Sequence, residues 1–85
     1  MPRPETLNEI GADIDRLRVI LCTEEDSETV RSALREYLRL NMVRYALKVQ
    51  KEMTGNTDVG KAYIVANAHI AQIELKEVHN GRPIP

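Results

Sequence analysis

The chain contains no phenylalanine and no tryptophan, and its only aromatic residues are Tyr37, Tyr45 and Tyr63. Any core it forms is therefore aliphatic, built from Leu, Ile, Val, Met and Ala. A lone cysteine, Cys22, excludes an intrachain disulfide and fits a reducing compartment. Long apolar runs are missing too. The longest nearly uncharged stretch, residues 62–73, is too short to span a bilayer and includes Asn67, His69 and Gln72. The opening Met1-Pro2-Arg3-Pro4-Glu5 lacks the apolar region of a signal peptide. The expectation is a cytoplasmic protein with no membrane segment. An excess of one charge sign is also absent. With 12 basic and 13 acidic residues the formal net charge is −1, which supplies no broad field for nucleic acid or an anionic membrane.

Helix breakers are scarce inside the chain. All four prolines lie at the ends, and the four glycines fall at 11, 55, 60 and 81. With 42% hydrophobic and 29% charged residues, 85 positions suit one globular domain rather than a disordered segment. A domain this short buries only about 60% of the surface its unfolded chain exposes. A second subunit would therefore add much to its stability.

Three helices are expected, over about 6–22, 27–53 and 58–80, followed by an extended Pro-containing tail, 81–85. Thr6-Leu7-Asn8-Glu9 has the form of a capping box. Leu7, Ile10, Ile14, Leu17 and Leu21 then recur at steps of three and four, a heptad-like seam. The acidic run 24–28 reads as a charged helix start, with Thr23, Asp26 and Ser27 as candidate caps. Asn56, Thr57 and Asp58 offer caps for the third helix, and Gly81 a stop.

The second helix carries an apolar pattern that changes side. At about 100° per residue, Val30, Ala33, Leu34, Tyr37 and Leu38 share one face, and Met42, Tyr45, Val49 and Met53 share another. Leu40, Val43 and Leu47 make a further short row, which favours two neighbours over one. A single long helix with two contact faces is expected, with Asn41 at the switch. In the third helix, Val59, Tyr63, Ala66, Ile70 and Ile73 form one row, and Ile64, Ala68, Ala71, Leu75 and Val78 form another on a different side. A helix that is apolar on most sides is normally buried on most sides. The fold expected is all-α: a three-helix antiparallel bundle completed by homo-oligomerisation. The interface is assigned to Ala62, Tyr63, Ala66, Ile70 and Ile73 with Leu40, Val43 and Leu47.

Catalytic signals are weak. His69 and His79 are ten residues apart on one helix and point in different directions, and no metal-ligand spacing occurs. His69 reads as a partly buried, hydrogen-bonded residue, and Cys22 as a buried structural thiol. Gly55 and Gly60 flank a turn rather than a phosphate loop, because Asp58 already supplies negative charge there. No cofactor and no metal are expected. Arg31, Arg35 and Arg39 form an i, i+4 row interleaved with Glu28 and Glu36, which can pair with it.

The function expected is non-enzymatic: an oligomeric adaptor, regulator or inhibitor acting through protein–protein contact, with a dimer favoured. The alternative is a nucleic-acid-associated factor using Arg31, Arg35 and Arg39. A small helical-bundle enzyme or ligand-binding protein is the third class, and it requires a pocket between helices.

Overall fold

A computed structural model describes the backbone of residues 3–80 and the side chains of residues 3–76; the expected tail, the Gly81 stop and the His79 side chain lie outside the described residues. Three α-helices and no strands are present among the described residues: α1 (Leu7–Thr23), α2 (Ser27–Thr54) and α3 (Val59–Asn80).

Local chemistry sets the helix ends. Thr6 Oγ1 accepts from the Glu9 N–H at 3.1 Å, and the Glu9 carboxylate accepts from the Glu5 N–H at 2.9 Å. The reciprocal half of the capping box thus reaches one residue further back than the pattern anticipates. Asp26 caps α2, accepting from the Thr29 N–H at 2.9 Å and the Thr29 hydroxyl at 2.7 Å. These two bonds favour the charged form and hold the Asp26 carboxyl below the usual carboxylate value. α2 stops at Gly55, whose φ of 73° is left-handed and whose N–H donates to the Lys51 carbonyl at 2.9 Å. Asp58 Oδ1 then accepts from the Gly60 N–H at 3.0 Å to start α3. The Gln50 amide ties this turn back to α2, donating to the Asp58 carbonyl at 3.1 Å.

α2 is the central element. α1 and α3 each pack against it, and among the described residues no Cα of α1 comes within 8 Å of a Cα of α3. The core joins Ile10, Ile14 and Leu17 of α1 to Ala33, Leu40, Val43 and Leu47 of α2 and to Ala62, Tyr63 and Ala66 of α3. α2 runs unbroken through Asn41, whose side-chain amide donates to the Tyr37 carbonyl at 2.8 Å. That bond uses an acceptor within the helix and leaves the helix intact.

The covered arc of α2 differs from the one its longest apolar rows predict. Of the first-half face only Ala33 is buried, and Leu34 and Leu38 are exposed. In the second half Tyr45 and Met53 are exposed, while Met42 and Val49 are half-buried. The row that is enclosed is Leu40, Val43 and Leu47, the shortest of the three. Two helices on one side of α2 cover a single broad arc between them, and that arc is centred on this row. The opposite stripe faces solvent.

Gly11 has no packing role. A Cβ built there meets nothing within 4 Å, and its φ is not positive. Gly11→Ala is expected to raise stability by about 0.5–1 kcal/mol, through helix propensity and a less flexible unfolded chain. Urea denaturation measures this, and a loss of stability would show a close contact at Gly11.

Candidate functional site

The eight residues assigned to an interface are located largely inside the chain. Leu40, Val43 and Leu47 of α2 and Ala62, Tyr63, Ala66 and Ile70 of α3 are buried among this chain's own helices, while Ile73 is partly exposed at the edge. α2 supplies the cover on that side of α3. The other row of α3 is uncovered: Ile64 is 70% exposed and Leu75 66%, with exposed Ala68 and Ala71 between them. Val65 is also exposed beside this row. The two apolar rows of α3 therefore divide into one that builds the core and one that faces solvent.

A second feature is a cleft between α2 and α3 with a cavity volume of about 370 Å³, lined by Arg3, Arg35, Glu36, Arg39, Tyr63, Asn67, Ile70, Ala71 and Glu74. Helical spacing places Arg35 and Arg39 one turn apart on the side of α2 next to α3. Arg35 pairs across the cleft with Glu74 at 2.8 Å, and Arg39 pairs with Glu36 on its own helix at 2.5 Å. Arg31 is exposed. The predicted arginine row is thus split, with two members engaged at the helix–helix boundary and one on the outer surface.

The third guanidinium comes from the N-terminal segment. The Tyr63 hydroxyl donates to the Pro4 carbonyl at 2.9 Å, and the Arg3 guanidinium lies 4.3 Å from the Tyr63 ring centroid. Arg3 also pairs with Glu5 at 2.9 Å. Burial raises the Tyr63 phenol above its ordinary pKa, with the Arg3 charge pulling the other way. Arg3 had no sequence signal. It lies 32 positions before Arg35, outside any helical period, and contacts with Tyr63, the hydroxyl bond to Pro4 and the ring beneath the guanidinium, hold it at the cleft.

Two other expectations are corrected. Cys22 is exposed, not buried. It follows Leu21 at the end of the α1 seam, and one step of about 100° carries it off the covered side. His69 is exposed as well. Its neighbour Ile70 turns towards α2, which directs His69 outward. Among the described residues no three His, Cys, Asp or Glu side chains are grouped to hold a metal ion, and no helix is long and apolar enough to cross a membrane.

No protein-family model, no curated protein and no solved structure matches this chain.

Proposed function

We propose that this is a non-enzymatic helical protein that works by protein–protein contact, first with a second copy of itself, through the outer row of α3. The observation behind this reading is the solvent exposure of Ile64 and Leu75, with two alanines between them, on a helix whose opposite face is already in the core. The connections at 24–26 and 55–58 are short and join helices that touch, which supports an antiparallel bundle.

The row is self-complementary. Two antiparallel copies about a twofold axis set Ile64 against Leu75 and Ala68 against Ala71, with small side chains at the centre where the helices approach most closely. Full burial of an aliphatic side chain is favourable by about 1.5–3 kcal/mol, and these begin roughly one-half to two-thirds exposed. Ile64, Val65 and Leu75 from both copies together regain on the order of 6–10 kcal/mol. Association itself costs at least about 4 kcal/mol. The dimer is therefore weak and concentration-dependent. The nucleic-acid alternative draws less support, because Arg35 and Arg39 are engaged with Glu74 and Glu36.

Light scattering across a concentration series tests the proposal. The mass of the wild-type chain is expected to rise from one copy towards two. The double variant Ile64→Lys, Leu75→Lys is expected to stay at one copy while keeping its helical circular dichroism. A wild-type chain that remains a single copy at millimolar concentration would overturn the self-association.

A further inference from the structure

We propose that the groove where α1 begins, α2 ends and α3 begins is filled, in the dimer, by residues 81–85 of the second copy, with Ile84 as the anchor. The placement rests on the antiparallel α3 seam of the dimer and goes beyond it, since that seam ends with α3 at Asn80.

The groove has a cavity volume of about 660 Å³, with Leu7, Leu47 and Val59 as its apolar lining. Leu7 belongs to the seam of α1 yet is 46% exposed, and Val59, from the core row of α3, is only half-buried. Two lysines, Lys48 and Lys51, and two glutamates, Glu5 and Glu52, also line it. Their charges balance, so the groove favours neither an anion nor a cation, and apolar surface decides its occupant. Its volume lies in the roughly 300–1,000 Å³ range of ligand pockets, which suits a few residues and not a whole helix.

The seam fixes which part of the chain comes to this groove. The twofold pairing that sets Ile64 against Leu75 and Ala68 against Ala71 also sets Asn80 of the second copy against Val59, which lines the groove. Residues 81–85 of that copy therefore start beside Val59. Five residues reach at most about 17 Å, enough to pass the 55–58 turn and enter the groove. The same segment cannot fill the groove of its own chain. Val59 and Asn80 are the two ends of α3, about 32 Å apart at 1.5 Å per residue, nearly twice the reach of the segment. Its sequence suits the lining: Gly81-Arg82-Pro83-Ile84-Pro85 has three apolar side chains among five. The two prolines limit the freedom that docking removes, and Ile84 offers a branched aliphatic side chain to Leu7, Leu47 and Val59. Arg82 falls at the turn, where Asp58 presents a carboxylate that makes no ion pair among the described residues.

Isotope-filtered NMR on a mixture of two preparations of the full chain tests this, one with ¹³C-labelled methyl groups and one unlabelled. At a concentration where light scattering gives two copies, nuclear Overhauser contacts are expected from Ile84 of the unlabelled copy to the Leu7, Leu47 and Val59 methyls of the labelled one. Ile84→Asp should weaken the dimer roughly tenfold or more, because each dimer loses two aliphatic anchors. Leu7→Gln, on the groove side, should weaken it in the same direction, with helical circular dichroism retained in both variants. The Ile64→Lys, Leu75→Lys variant lacks the seam and should show no Ile84 contacts in the groove. A wild-type dimer without these contacts, or one whose dissociation constant is unchanged by Ile84→Asp, overturns the docking and leaves the seam standing. Contacts that persist in the seam variant also overturn it, since they put the segment in a groove without the seam. A wild-type chain that stays a single copy overturns seam and docking together.

Discussion

Leu40→Ala is expected to cost about 3 kcal/mol of folding stability, while Leu38→Ala costs about 1 kcal/mol or less. The two leucines are two residues apart on α2 and are identical as sequence. Leu40 is 1% exposed and Leu38 50%. Truncating Leu40 removes a side chain that is enclosed from both flanks and leaves a cavity between three helices. Truncating Leu38 removes surface that water already reaches. An 85-residue domain holds a total stability on the order of 4–13 kcal/mol, so the Leu40 variant forfeits a large part of it. Urea denaturation followed by helical circular dichroism gives both numbers. A larger loss for Leu38 than for Leu40 would mean that α2 is rotated from the orientation described.

The second large effect is on α3. Ala66→Asp should unfold the protein. Ala66 is 1% exposed and packs in the core between α2 and α3. A carboxylate there has neither room nor a partner, and an uncompensated buried charge costs about 3–5 kcal/mol or forces the group to protonate. Ala68→Asp, two residues on, is placed in solvent and should leave the helical content and the unfolding midpoint of the monomer nearly unchanged. It also puts like charges on the proposed seam, so the mass at high concentration should fall to that of one copy. Ile70→Asp is a less discriminating variant, because Arg35 and Arg39 line the same cleft and could pair with the new carboxylate. If Ala66→Asp folds as stably as the parent, the burial assigned to this face of α3 is wrong.

The helix ends were legible in the residues because their causes are local. Thr6, Asp26 and Asp58 cap the three helices through side-chain oxygens two or three residues from the N–H groups they satisfy. Gly55 ends α2 because a left-handed residue is needed there and glycine adopts it without a Cβ penalty. The seam of α1 was legible in its middle, where Ile10, Ile14 and Leu17 are buried, but not at its ends, where Leu7 is exposed and Leu21 half-buried. The candidate site was far less visible. Two of its arginines, Arg35 and Arg39, belonged to an evident row, but their partners, Glu74 on α3 and the cleft itself, arise from packing.

By itself the sequence determined the number of helices, the breaks between them and a short set of candidate caps at each start, and the aliphatic character of the core. All of these follow from interactions within a few residues along the chain. Only the tertiary structure decided which row of α2 is enclosed, which of the two apolar rows of α3 remains in water, and that Arg3 joins Arg35 and Arg39. A helix offers its side chains in every direction, and periodicity ranks the possible faces without choosing among them. The choice is made by where two neighbouring helices sit on α2 and by Tyr63, whose hydroxyl and ring tie the N-terminal segment to α3.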